Sequence, residues 1–224
     1  MNSPVESLLN DLIQNQIPTI NSSVGGIIKS QGLDPIQAVY SGSSNLGTIN
    51  MGICSADANA NYHLENLEGL SSLRINNMVV TSVQTSNNGS KLHGNISFNA
   101  SFPSNLTASI GGKIHASCGL VHDSVDIVGE VYCGAVNMSA NCIFEATLGS
   151  QLCLNSLLIS NPSIGYGNMN VNIDGLGIFN GLLQPLKDVI LGAMKNALET
   201  NISGQIAIPV NKAFTEALPQ CISV

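Results

Sequence analysis

Across residues 92–102 the chain alternates strictly. Leu92, Gly94, Ile96, Phe98, Ala100 and Phe102 are apolar or small, and His93, Asn95, Ser97, Asn99 and Ser101 between them are polar. A period of two marks a strand with one buried and one wet face. The same period dominates residues 62–172. A strand is expected over 70–83, and Asn87-Asn88-Gly89 supplies a turn ahead of Leu92. Ala108, Ile110, Gly112, Ile114, Ala116 and Cys118 then alternate with Thr107, Ser109, Lys113, His115 and Ser117. A strand over 125–133 follows. After it Val136, Met138, Ala140, Cys142, Phe144, Ala146 and Leu148 alternate with Asn137, Ser139, Asn141 and Glu145. Long antiparallel strands with one apolar face need a cover on that face. Residues 40–61 are rich in Gly, Ser and Asn without a sustained period, and read as loop with short strands.

The cover is helical. Ser3-Pro4-Val5-Glu6 has the form of a capping box with proline at the first helical position. Val5, Leu8, Leu9, Leu12, Ile13, Ile17 and Ile20 make one apolar stripe, continuing through Val24, Ile27 and Ile28 toward Gly32, with Pro18 expected to kink it. The helical period returns over 175–218. There Ile178, Phe179, Leu182, Leu183, Leu186, Val189, Ile190, Ala193, Met194, Ala197 and Leu198 form a wide stripe. The pattern is interrupted over 201–204 and resumes at Ile206, Val210, Phe214 and Leu218, with Pro209 expected to kink or break it. The order helix (1–32), antiparallel meander (62–173), helix (175–218) predicts a single elongated α+β domain over 1–224. In it a long, highly curved antiparallel sheet wraps around N- and C-terminal helices.

Asn21, Asn88, Asn95, Asn99, Asn105, Asn137 and Asn201 each open an N-x-Ser/Thr sequon. A glycan needs water, so Asn95, Asn99 and Asn137, opposite the apolar positions, mark the outer sheet face. Asn21 and Asn201 lie in or beside the helices and are the more exacting cases. Only 9% of residues are charged, with net charge −7, which excludes a basic nucleic-acid surface and argues against docking on anionic membranes. Solubility then falls to Asn, Ser, Thr and sugar. The six cysteines Cys54, Cys118, Cys133, Cys142, Cys153 and Cys221 are even in number and lack C-x-x-C pairing. That fits disulfides of a secretory product better than zinc, with the pairing open and Cys118 and Cys142 also readable as buried apolar positions. No signal peptide is visible, so a secreted form implies a leader already removed. No apolar run is long enough to span a membrane.

Catalytic signatures are missing: there is no G-x-S-x-G, P-loop or H-E-x-x-H. The run Gly175-Leu176-Gly177-Ile178-Phe179-Asn180-Gly181 misses the dinucleotide spacing and lacks a βαβ setting, and reads as a flexible start to a helix. His63-Leu64-Glu65 has no P-C-x-x-C after it. His93 and His115 on wet faces are too few for a metal site, and His122-Asp123 has no nucleophile pattern nearby. No cofactor or metal is expected, and no enzyme.

The segment Leu67-Glu68-Gly69-Leu70-Ser71-Ser72-Leu73-Arg74-Ile75-Asn76-Asn77-Met78-Val79-Val80, and the run from Gly175-Leu176-Gly177-Ile178-Phe179-Asn180 through Leu183, Leu186, Val189 and Ile190 to Pro209, Ala213-Phe214 and Leu218, carry a family likeness. They resemble the tubular lipid-binding (TULIP, BPI-like) superfamily, and within it the single-module group 7 mite allergens and the takeout and juvenile-hormone-binding proteins. The resemblance implies a secreted, non-enzymatic carrier with a lipid or other elongated hydrophobic molecule held in an apolar channel between sheet and helices. The inward positions that would line such a channel are Leu12, Ile13, Ile96, Phe98, Ile114, Phe144, Phe179, Leu183, Leu186 and Ile190. A solid core is the plain alternative for the same residues. A structural or surface-active component of a mucus, foam or coating is the alternative function, suited to few charges and amphipathic helices.

Overall fold

A computed structural model describes residues 4–52 and 54–224. Ser3, the cap of the expected capping box, lies outside the described residues.

Helix α1 (Pro4–Ser30) buries Leu9, Leu12, Ile13, Ile20, Val24, Ile27 and Ile28. Glu6 in its first turn and Lys29 in its last complement the helix dipole. It stays helical through Pro18.

Residues 40–61 correct the expectation of loop: they belong to two long strands, β1 (Ile36–Asn50) and β2 (Ser55–Glu68). The inward positions of β2 include Ala56, Ala58 and Ala60, whose small side chains make a weak apolar signal. β1 is an edge strand with most of its residues at least partly exposed, so it shows little alternation. A 3₁₀ turn (Leu70–Ser72) takes the start of the expected 70–83 strand. After it come β3 (Arg74–Ser86), β4 (Lys91–Phe102), β5 (Leu106–Cys118), β6 (Val121–Cys133), β7 (Val136–Leu148), β8 (Gln151–Gly165) and β9 (Met169–Ile173). Asn87, Asn88 and Gly89 carry φ of 51°, 56° and 88°, the left-handed backbone that a tight hairpin between β3 and β4 requires.

All strand pairs are antiparallel, but the connection is not a plain meander. One five-stranded sheet has the order β1-β2-β5-β6-β9 and the other β8-β7-β4-β3 with a short C-terminal strand, β10 (Gln220–Ser223), beside β8, so the chain passes from sheet to sheet every two strands as far as β8. The class is α+β, with curled antiparallel strands around the helices, as the sequence predicts.

The C-terminal segment begins with a 3₁₀ helix (Gly177–Leu182), then α2 (Leu183–Asn196), a π-helical stretch (Ala197–Ile202), α3 (Ser203–Ala217) and the short strand β10 (Gln220–Ser223). The sequence interruption at 201–204 overlaps the end of the π-helical stretch and the start of α3; the wider π turn shifts the apolar stripe without ending the helix. α3 runs through Pro209, so no break occurs there.

Disulfides join Cys54 to Cys118, between the β1–β2 and β5–β6 ends of one sheet, and Cys153 to Cys221, which ties β10 to β8. Cys133 and Cys142 are not bridged, which corrects the reading of all six as disulfide partners. They face inward on β6 and β7, in different sheets, and act as small buried apolar residues.

Candidate functional site

The interior between helices and sheets is one continuous apolar cluster. Helices α1 and α3 pack together over the β3 and β8 side of one sheet, while α2 lies against β1, β6 and β9 of the other. The proposed lining residues divide along the same line. Leu12 and Ile13 on α1 and Ile96, Phe98 and Phe144 on β4 and β7 belong to the first half. Ile114 on β5, Phe179, and Leu183, Leu186 and Ile190 on α2 belong to the second. Leu183 is half-buried; the other nine are at most 2% exposed. No water-sized void adjoins Ile13, Ile96, Phe98, Ile114, Phe144, Leu186 or Ile190, each 0% exposed. At these positions the interior is closed and filled. Phe214 on α3, absent from the set read from sequence, meets Phe98 edge to face with ring centroids 6.3 Å apart.

Polar side chains seal this interior. Sheet edge β3 exposes backbone groups that need partners, and α1 supplies them. Asn10 Oδ1 accepts from the Val80 N–H at 2.9 Å, and Gln14 Nε2 donates to the Met78 carbonyl at 2.5 Å and to Asn77 Oδ1 at 2.9 Å. Asn21 Nδ2 donates to the Ile75 carbonyl at 3.0 Å and its Oδ1 accepts from the Ile75 N–H at 2.8 Å. At 100° per residue these three positions fall within about 40° of one another, beside the apolar stripe. α1 also lies close against the 3₁₀ turn at Gly25, where a Cβ would come within 2.5 Å of the Ser71 carbonyl oxygen. On the far side Asn211 Oδ1 of α3 accepts from the Ile159 N–H of β8 at 2.7 Å, beyond the reach of β10. Sequence reasoning missed these amides because it followed apolar periodicity; the repeat of Asn and Gln at one helical azimuth was the available signal.

Among the described residues the buried polar side chains are Gln16 and Ser203. Ser203 donates from Oγ to the Glu199 carbonyl at 2.9 Å.

On the outer face, Asn88, Asn95, Asn99, Asn105, Asn137 and Asn201 are exposed, whereas Asn21 is half-buried with both amide ends engaged. His93 and His115 sit on different sheets, which rules out the surface pair considered from sequence. His93 instead shares a 3.0 Å hydrogen bond with Gln84. An open trough of about 570 Å³ lies on the outside of the β1-β2-β5-β6-β9 sheet, among Glu65, Gly111, Val128, Glu130, Tyr132, Asn172 and Asp174. Tyr132 donates to Glu130, and that bond raises the phenol above its usual range. Among the described residues no group of three or more His, Cys, Asp or Glu is placed to hold a metal, and no helix is long and apolar enough to cross a membrane.

No family model matches the chain, and no curated protein does. Solved structures similar to it include the following two. Lipopolysaccharide binding protein shares 10% identity at a TM-score of 0.36, over 88% of this chain and 40% of that one. Takeout 1 of Epiphyas postvittana shares 9% at a TM-score of 0.37, over 91% of this chain and 92% of that one. The chain thus spans 40% of the length of lipopolysaccharide binding protein.

Proposed function

We propose that the chain is a secreted, glycosylated, non-enzymatic carrier that takes a lipid or other elongated hydrophobic molecule between its helices and sheets. The observation that carries this reading is the α1–β3 seam: an almost wholly apolar interior is closed along one side by neutral amide hydrogen bonds.

Magnitudes allow the seam to open where the ligand replaces the packing that α1 gives up. The five hydrogen bonds from Asn10, Gln14 and Asn21 to β3 contribute about 5 kcal/mol at roughly 1 kcal/mol net each. A chain of about a dozen methylenes recovers about 10 kcal/mol on burial, before ordering costs. The ligand covers the apolar surfaces that separate, so the closed form stores the site and the ligand reveals it. Two disulfides and the exposed sequons support an oxidising, secretory compartment.

Native mass spectrometry of delipidated protein mixed with a long-chain fatty acid tests the reading. A bound fatty acid on the folded chain is expected; a folded chain that stays empty overturns it. The same seam would also let α1 turn its apolar stripe toward an air–water surface, which keeps the surface-active reading as the second one. Surface tension at micromolar protein separates the two: a carrier leaves water nearly unchanged, and a surfactant lowers it sharply.

A further inference from the structure

The outer face of the β8-β7-β4-β3 sheet is polar, with a localised exception. The outward positions of β7 are Asn137, Ser139, Asn141, Ile143, Glu145 and Thr147, and Ile143 alone among them is apolar. On β8 the large apolar residue turned outward is Leu158. The two face each other across the strands and are 47% and 53% exposed. Two apolar side chains that break the alternation at one register position make an exposed patch in need of an explanation.

Asn95 completes the row. It lies directly opposite Ile143, so Leu158, Ile143 and Asn95 run across three neighbouring strands on one face. Cβ atoms facing each other in this way are about 5 Å apart, and the next strand adds about 5 Å more. Asn95-Ile96-Ser97 is a sequon, and Asn95 is exposed. On its other side Asn95 Nδ2 donates to Ser82 Oγ of β3 at 3.0 Å. A glycosylated amide keeps one N–H, so this bond can persist. The hydrogen that a sugar replaces then points away from Ser82, toward β7.

We propose that the glycan of Asn95 folds over Ile143 and Leu158 as their cover, with its first sugar ring on Ile143 and its second on Leu158. The proposal rests on the glycoprotein reading above and gives one glycan a place and a task. An N-acetylglucosamine ring presents C–H groups on its faces, hydroxyls at its rim and an acetyl methyl, so one face meets an aliphatic pair while the other meets water. The register selects this occupant. Its attachment atom is one strand away, so the cover arrives tethered, at high effective concentration. The other sequons on this face lack an apolar neighbour of this kind: Asn99 is opposite Asn77 and Ser139, and Asn137 is opposite Ser101 and Gly165. With only 9% of residues charged, the chain has few charges to keep such a patch from associating, and a tethered sugar supplies the polarity.

Hydroxyl-radical footprinting of the full chain from a secreting cell, read at Ile143 and Leu158 by mass spectrometry, tests the proposal. Peptide mapping of the same material reads the sugar on Asn95. In protein that carries it both side chains should be protected. Ser97→Ala, which removes the sequon and keeps the Asn95 side chain, should raise oxidation of both several-fold. Asn99→Gln should leave both unchanged, with Ile178, 63% exposed on the 3₁₀ helix, as the internal reference. Trimming folded high-mannose wild-type protein with an endoglycosidase that leaves the first ring should expose Leu158 while Ile143 stays covered, a result independent of how any variant folds. An Asn95 without sugar removes the glycoprotein reading at this site and the proposal with it. Sugar on Asn95 with equal oxidation before and after its removal, or an equal rise in Asn99→Gln, overturns the proposal alone.

Discussion

Asn21 and Ile75 hold each other twice: Asn21 Nδ2 donates to the Ile75 carbonyl at 3.0 Å, and the Ile75 N–H donates back to Asn21 Oδ1 at 2.8 Å. A side-chain amide thereby does for β3 what a neighbouring strand would do. Asn21→Ala leaves both Ile75 groups without their partner and should cost about 1–3 kcal/mol. Chemical denaturation measures it; a loss below a few tenths of a kcal/mol would show that water replaces the amide at no cost.

The same geometry sets Asn21 apart among the sequons. A glycan on Nδ2 would crowd the seam, so peptide mapping of protein from a secreting cell should find Asn21 bare. Asn95, Asn99 and Asn137 are exposed and should carry sugar. Asn99 pairs with Ser139 and Ser101 with Asn137, so Asn99 and Asn137 are diagonal neighbours across β4 and β7. Their glycans should crowd each other, and removing either sequon should raise occupancy of the other. Full occupancy at Asn21 in a folded product would contradict the seam.

Burial pushes the Cys133 thiol up to about 11 and the Cys142 thiol up to about 12, from 9.0. The folded chain therefore keeps protons that the unfolded chain releases above pH 9. This contribution to stability is whole below about pH 9 and is lost as pH rises toward 11 and 12. Unfolding midpoints compared at pH 8 and pH 10 should fall more for the wild-type chain than for Cys133→Ala/Cys142→Ala. Equal falls would remove the thiols from the account. A neutral-pH thiol reagent should label neither cysteine until the chain unfolds.

Ile114, 0% exposed on β5, tests whether the interior accepts a ligand. Ile114→Trp should cost about 1–3 kcal/mol by overpacking and, in the folded fraction, reduce uptake of a fluorescent fatty acid. Unchanged uptake by a folded variant would place the ligand elsewhere.

Periodicity made β4, β5 and β7 legible almost to the residue, because each has a strongly apolar inner face and a polar outer one, whereas β6 begins four residues before the expected 125, at Val121, where His122, Asp123 and Ser124 hide the alternation. β1 and β2 were not legible: an edge strand buries little, and alanines at 56, 58 and 60 give no contrast with Asp57 and Asn59. The exchange of strand pairs between two sheets leaves no trace in local pattern, since β2–β5 and β4–β7 pairing depends on contacts distant in sequence. Inward-facing residues such as Phe98 and Ile190 are legible from the alternation and the helical stripe, but whether such a set is a channel or a packed core depends on side-chain volumes brought together from both sheets and the helices. That sum is visible only once the chain is folded, and it gives a closed interior.

Ligand entry between α1 and β3 requires the seam to open. The most direct measurement is uptake of a fluorescent long-chain fatty acid by a Gln14→Cys/Asn77→Cys variant before and after cross-linking the new pair with a short bis-maleimide; the buried Cys133 and Cys142 stay unlabelled. Uptake should be retained in the open variant, collapse on cross-linking and return with a cleavable linker once it is cut. Equal uptake by the cross-linked and free forms would contradict a site reached between α1 and β3.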